Sequence, residues 1–348
     1  MTLRSVLASV LACAAVGLCL TSAPAQLVAS STTPDTRRVS ADDSIESVLA
    51  ITIDGLNPEA LRILGPKGTP HLHAFMASGA STLNARTENE LTITLPNHTG
   101  MVTGRRVTAA EGGHGVTWND DRRRPRTVQA AAGERVESVF TAVSAAGGST
   151  ALFASKTKFS LWKRSWPLAI DKTRIQLDNA VMARSVRRDL RDHDRAFRFA
   201  HFSLPDNVGH AKGFMSKPYL RSVKQVDALL GGIVAAVDAD PVLDASTAII
   251  VTSDHGGLGT SHSDARRFAN YRIAFMVAGP GVAVGADLYA LNADNRRDPG
   301  TRRTSYADSY QPIRNGEVAN LALDLLDLGA VPGSEHNLSL GLDVSPAQ

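Results

Sequence analysis

The run Ala248-Ile249-Ile250-Val251-Thr252-Ser253-Asp254-His255-Gly256-Gly257 joins an apolar, β-prone stretch to two potential metal ligands and a glycine pair. Short apolar runs bounded by turn residues read as strands buried on both faces. Similar runs recur at residues 48–53, ending on Asp54-Gly55, and at residues 151–154, 197–203 and 273–278. Longer stretches with helical periodicity lie between them, at residues 136–146, 178–192, 219–237 and 318–328. Strands alternating with helices predict an α/β fold: a mostly parallel sheet sandwiched between helices, with polar loop insertions. No internal repeat is visible.

Ligand sites of such sheets form beyond the carboxyl ends of the strands. Three carboxylates stand there: Asp54, Asp206 and Asp254. One Asp after a strand is commonly a helix cap or turn residue. Three at successive strand ends make that reading strained. In Leu204-Pro205-Asp206-Asn207-Val208-Gly209-His210, Asp206 and His210 are four residues apart, so one helical turn puts both on one side, as a chelate requires. Asp254 and His255 are adjacent and point in different directions. They can serve one ion from two sides or two neighbouring ions. Gly256 and Gly257 permit a sharp turn and close backbone approach. His262 follows His255 by seven residues and can fold back to the same place.

The segment Thr92-Ile93-Thr94-Leu95-Pro96-Asn97-His98-Thr99-Gly100 supplies a candidate nucleophile. Pro96 suits the first turn of a helix, which puts Thr94 at or near the N-terminus. There free amides and the macrodipole favour an anion. Alone, Thr94 reads as a cap. Beside a metal cluster, its hydroxyl becomes a candidate metal-activated nucleophile.

Taken together, Asp54-Gly55, Thr94-Leu95-Pro96-Asn97-His98, Asp206-x-x-Gly209-His210 and Ser253-Asp254-His255-Gly256 resemble the alkaline phosphatase superfamily. The closest branch is the type I phosphodiesterase/nucleotide pyrophosphatase family, in the form of a secreted bacterial member. Thr103-Gly104 and His114-Gly115 belong to the same pattern, and the resemblance runs from Asp54 to about Gly333. It implies two divalent ions, zinc being the expected metal. One set of ligands matches Asp206, His210 and a later histidine; the other matches Asp54, Thr94, Asp254 and His255. Asn119 is implied to help the Thr94 amide hold a phosphate oxygen. The implied reaction is hydrolysis of a small-molecule phosphate ester through a phospho-threonine. Two divalent ions against three carboxylates leave about one net positive charge, so an anionic ester is the natural ligand. Thr99 replaces the aromatic residue of the animal enzymes, so their nucleotide selectivity does not carry over.

The later histidine has two candidates. His336, in Gly333-Ser334-Glu335-His336-Asn337, resembles the late histidine of the nucleotide pyrophosphatases. His262 resembles the histidine just past Asp-His-Gly in mutases and phosphoethanolamine transferases. His262 is favoured, because a short loop closes at small entropic cost. Ala154-Ser155-Lys156-Thr157-Lys158 loosely matches a cationic segment of the superfamily's phosphomonoesterases. Lys156 is therefore a candidate contact for a monoester dianion, against the reading of a solvated loop. Phosphodiesterase/pyrophosphatase activity leads and phosphomonoesterase follows. A non-catalytic metal-binding protein of the same fold is the alternative from another class. A sulfatase is disfavoured, since it needs a matured Cys or Ser where Thr94 stands.

Residues 1–25 have the order of a secretory signal peptide: Arg4, an apolar run from Val6 to Leu20, then Ala23-Pro24-Ala25. The apolar run is short for a span, which needs about 20 residues. Neither Cys13 nor Cys19 has a good lipobox before it, so cleavage near Ala25 is the simpler expectation. Secretion, or a periplasmic or cell-surface location, follows. Both cysteines fall in this segment, which would leave the mature chain no thiolate as nucleophile or ligand. Residues 26–45 read as a flexible leader and 46–348 as a single hydrolase domain. The 348 residues are 43% hydrophobic and 20% charged, ordinary globular values. A formal charge of +3 gives no nucleic-acid-binding footprint, and Arg122-Arg123-Arg124 reads as a solvated loop. Oligomeric state is not readable.

Overall fold

The computed structural model describes residues 44–336 and 341–346. The expected signal peptide, both cysteines and all of the leader except residues 44 and 45 lie outside the described residues. Ile45 already packs on the core, so the folded part begins a residue earlier than expected.

Eight strands form one sheet: β1 (Ser47–Ile53), β2 (Ala80–Arg86), β3 (Thr150–Ala154), β4 (Lys172–Ile175), β5 (Phe197–Phe202), β6 (Thr247–Thr252), β7 (Arg272–Ala278) and β8 (Ala286–Asp287), in the order β4-β3-β5-β1-β6-β7-β2-β8. The sheet is mostly parallel. Only β7 runs against its neighbours β6 and β2. Alternate residues of the central strands enter opposite layers. Val48, Ala50, Phe197, Phe199, Ala248 and Ile250 pack with Leu95, Val102, Phe140, Trp162 and Leu321 on one side. Leu49, Ile51, Ala200, Phe202, Ile249 and Val251 pack with Leu61, Leu72, Met182, Val226 and Leu230 on the other. Each such buried side chain contributes roughly 1.5–3 kcal/mol. Two dry layers thus hold the strand ends rigidly.

Register determines where those ends point. Ala154 pairs with His201, His201 with Thr52, and Thr52 with Thr252. One row across four adjacent parallel strands therefore hands the chain to Lys156, Asp206, Asp54 and Asp254 at a single edge. Element ends differ from expectation where capping decides them. The helix expected from residue 136 begins at Val139, because Ser138 forms a capping box with Thr141. The last helix stops at Leu325, two residues before Asp327 turns to φ 55°. The helix Pro58–Gly68 was not expected; it starts on a proline, as does the helix Pro70–Ser78.

Candidate active site

The helix Thr94–Thr103 opens directly on Thr94; Ile93 before it makes no cap, and Asn119 Oδ1 takes only the Leu95 amide. Its positive dipole end therefore stays available to an anion. The residues after Thr94 hold this turn. Asn97 accepts the Glu88 N–H at 2.9 Å and donates to the carbonyls of Leu91 and Ile93, which pins the approach loop. His98 donates through Nδ1 to the Thr94 carbonyl at 2.8 Å and meets the Thr52 hydroxyl through Nε2 at 3.0 Å. Burial, then the neighbouring His201, pushes the His98 pKa well below its ordinary value, so this ring is neutral.

Asp54, Asp206 and Asp254 are all buried, and each has one oxygen fixed and one bare. Asp54 Oδ2 takes His201 Nε2 at 2.9 Å and Lys156 Nζ at 2.6 Å. Asp206 Oδ2 takes the same ammonium at 2.6 Å. Asp254 Oδ1 accepts the amides of Gly55 and His255 at 3.1 and 3.0 Å. Asp54 Oδ1, Asp206 Oδ1 and Asp254 Oδ2 have no hydrogen-bond partner. A buried bare carboxylate oxygen is costly without a compensating charge.

The histidines supply the complement. The Nδ1 atoms of His210, His255 and His262 meet the carbonyls of Thr260, Gly256 and Thr92 at 2.9, 2.9 and 2.6 Å. A carbonyl only accepts, so each Nδ1 carries the proton and each Nε2 faces the carboxylates. His262 Nε2 lies 3.0 Å from His210 Nε2 and 3.5 Å from Asp206 Oδ1. Burial, then the charge of His255, pushes His262 down to about 2, so its Nε2 is a bare lone pair. His255 Nε2 lies 3.1 Å from Asp254 Oδ2, 3.4 Å from Asp54 Oδ1 and 3.5 Å from the Thr94 hydroxyl. Burial opposes protonation of His255, yet the carboxylates of Asp254, Asp206 and Asp54 raise it to about 9. Two donor sets result among the described residues: Asp206, His210 and His262, and Asp54, Asp206 and His255. Asp254 adjoins the second through His255. Imidazole and carboxylate donors without sulfur fit a divalent ion such as zinc. Three bare carboxylate oxygens beside the His262 lone pair fit a cation, which would displace the Nε2 proton that the carboxylates hold on His255.

Gly256 shows why the loop after β6 carries glycine. A Cβ there would lie 2.1 Å from the Ala269 carbonyl. Gly55 turns Asp54 inward at φ 69°.

The structure brings Asp54, Thr94, Lys156, Asp206, His210, Asp254, His255 and His262 together. His336 stands elsewhere, paired with Glu88 at 3.0 Å. Asn119 is at the site: Oδ1 accepts the Leu95 amide at 3.0 Å and Lys158 Nζ at 2.9 Å. Its Nδ2 hydrogens remain the donors available to a ligand. Lys156 is neither a solvated loop residue nor clear of the carboxylates. Burial alone would lower its pKa, and Asp54 and Asp206 raise it strongly.

Sequence reasoning missed three supports. His201 bonds Asp54; its signal was a polar side chain inside a wholly buried strand. Asn315 Nδ2 reaches the carbonyls of Ser253 and Asp254 at 3.3 and 3.4 Å. Tyr219 donates to the Gly55 carbonyl at 2.8 Å and accepts the Asn57 amide at 2.9 Å.

Known proteins resemble this chain in sequence and in fold. The sequence profile described as type I phosphodiesterase / nucleotide pyrophosphatase matches residues 48–332. A GPI ethanolamine phosphate transferase 1 of Aspergillus oryzae is 30% identical over 201 residues, 56% of this chain but only 18% of that relative. Murine ectonucleotide pyrophosphatase/phosphodiesterase 5, solved in an inactive threonine-to-alanine form with AMP, superposes at a TM-score of 0.65 with 14% identity, covering 86% of this chain and all of the other. A putative sulfatase from Bacteroides thetaiotaomicron superposes at 0.56 with 12% identity, covering 84% of this chain and 73% of the other. The two structural likenesses show the alkaline-phosphatase-like fold.

Proposed function

Because the chain belongs to the type I phosphodiesterase / nucleotide pyrophosphatase family, a family of hydrolases, we propose that it hydrolyses phosphate diesters or pyrophosphates with Thr94 as nucleophile. The observation that carries this reading is the bare face of the cluster. Three unpartnered carboxylate oxygens and the Nε2 atoms of three histidines converge, with the Thr94 hydroxyl at the head of a helix 3.5 Å from His255 Nε2. Asp206, His210 and His262 would hold one divalent ion; Asp54, Asp254, His255 and the Thr94 hydroxyl would hold another. Bound there, such ions supply the Lewis acidity that ionises a hydroxyl near neutral pH and steadies charge on a leaving oxygen. The inactive threonine-to-alanine form of the murine relative supports the choice of nucleophile.

The chain's own residues do the positioning. His98 and Asn97 fix the first turn, so Thr94 Oγ1 is held for in-line attack. The Nδ2 hydrogens of Asn119 and the helix N-terminus receive the non-bridging phosphate oxygens. Attack forms the Thr94 Oγ–phosphorus bond and breaks the bond to the leaving alcohol, which departs with a proton. Water then cleaves the phospho-threonine and restores the hydroxyl. Lys156 neutralises Asp54 and Asp206 and keeps the cluster receptive to an anion. Residues 1–25 lead us to propose export as well; among the described residues no helix is long and apolar enough to cross a membrane.

Phosphomonoester hydrolysis is the second reading, favoured by the two ammonium groups of Lys156 and Lys158 at the site. Rates on bis-p-nitrophenyl phosphate, p-nitrophenyl phosphate and p-nitrophenyl sulfate decide. The proposal expects the diester to have the highest kcat/KM. A higher value for the monoester selects the second reading, and turnover of the sulfate alone overturns both.

A further inference from the structure

Two chain segments leave the site side by side. One runs from Asn119 to Arg126; the other runs from Lys156 along Thr157–Phe159 and the helix Ser160–Ser165. The Thr157 hydroxyl donates to Asp121 Oδ2 at 2.8 Å and ties the two segments at the edge of the site. Lys158 Nζ ties them again through the Asn119 carbonyl at 2.8 Å. Beyond that seam the segments enclose a cleft of about 920 Å³, lined by Arg123, Arg124, Arg126 and Arg164 with Asp121. Its near wall is at most two residues, about 8 Å of chain, from Asn119 and adjoins Lys156.

The charge of this cleft is one-sided. Four guanidinium groups face a single carboxylate, and Asp121 already accepts from Thr157. Arg122 is matched by Asp120. Arg123, Arg124 and Arg126 make no ion pair among the described residues. Arg164 is half-buried and held as a fixed fork, with Nε on the Arg126 carbonyl at 3.0 Å and Nη1 on the Ser160 hydroxyl at 2.9 Å. Burial, then the charges of Arg123 and Arg126, lowers its pKa, which shows that these cations converge. A guanidinium fork is the side chain best matched to phosphate oxygens. The size lies within the roughly 300–1,000 Å³ of small-molecule sites.

We propose that this arginine cleft is a subsite for a second phosphate group, so that the substrates are phosphate esters or anhydrides carrying further phosphoryl charge beyond the scissile one. The assignment of substrates rests on the phosphoesterase reading above; the assignment of an anion site does not. Two measurements separate them, both on the full-length protein and on Arg123→Ala/Arg126→Ala. The first is the ratio of kcat/KM for ATP to that for p-nitrophenyl thymidine 5′-phosphate, which lacks the extra phosphates. The double variant lowers this ratio at least about tenfold, mainly through KM. The second is calorimetric titration of inorganic tripolyphosphate into chelator-treated protein, where the variant weakens binding at least about tenfold. A ratio or an affinity that stays within about twofold of wild type overturns the proposal. If the wild type turns over neither ester, the phosphoesterase reading fails and the titration alone decides the cleft. Circular dichroism confirms that the variant, changed only at exposed positions, is folded.

Discussion

Lys156→Met removes the one ammonium group shared by two buried carboxylates and keeps most of the side chain's packing. Its Nζ lies 2.6 Å from both Asp54 Oδ2 and Asp206 Oδ2. At an effective dielectric of about 20, each contact has a gross attraction of roughly 6 kcal/mol. Most of that is offset by the cost of burying the charges, and breaking a buried pair costs about 3–5 kcal/mol net. In chelator the variant should therefore lose about that much stability, a Tm decrease on the order of 10 °C. With zinc present the ions neutralise the same carboxylates, so the loss should shrink by at least about half, and zinc affinity should rise because a competing cation is gone. Thermal unfolding of both proteins, in chelator and in saturating zinc, gives the four values needed. A Tm decrease equal in both conditions, or none in chelator, would refute the assignment of Lys156 as the counter-charge of the metal ligands.

Glu88→Gln should flatten the acid limb of stability. Burial would raise the Glu88 carboxyl, but His336, Arg314 and Tyr306 hold it at about 2 against an ordinary 4.5. A depressed carboxylate stabilises above its unfolded pKa and loses that contribution as pH falls, here from 4.5 towards about 2. His336 is raised by the same pair, so its share is complete below 6.5 and lost as pH rises through the folded value. Urea titrations at pH 3, 5 and 6 should show the wild type losing about 2 kcal/mol from this group by pH 3 and the variant losing little; parallel curves would contradict this. His262→Ala should lower zinc affinity at least about tenfold, while His336→Ala should keep zinc and lose stability. Metal content after dialysis that falls only in the His336 variant would reverse the donor assignment. Chelation should abolish ester hydrolysis and zinc should restore it; activity that persists in chelator contradicts the metal requirement.

The sheet was legible because strands buried on both faces read as apolar runs, as β1, β3, β6 and β7 do, with β5 interrupted only by Arg198 and His201. β2 was not, since Ser81, Thr82, Asn84 and Arg86 break the run and its pairing with β7 supplies the order. β4 alternates exposed and half-buried residues at the sheet edge and carries little apolar signal. The candidate donors were legible because Asp54 and Asp254 follow strands closely and Asp206 and His210 are spaced one turn apart on the helix Leu204–Lys212 that follows β5. What surrounds them was not, because hydrogen bonds between segments distant in the chain leave no local pattern. His201 reaches Asp54 only through the register of β5 on β1, and Asn315 reaches Asp254 from 61 residues away. Arg122-Arg123-Arg124 read as a solvated loop for the same reason. Only the folded chain sets them opposite Arg164.

The most direct test of the account is turnover of bis-p-nitrophenyl phosphate by zinc-loaded Thr94→Ala. The substitution removes a hydroxyl at the first position of the helix Thr94–Thr103 and leaves Asp54, Asp206, His210, Asp254, His255 and His262 as donors. The account predicts a folded protein that still binds zinc, with kcat lower by at least about three orders of magnitude. Hydrolysis at the wild-type rate would remove Thr94 as the nucleophile and the phospho-threonine mechanism with it.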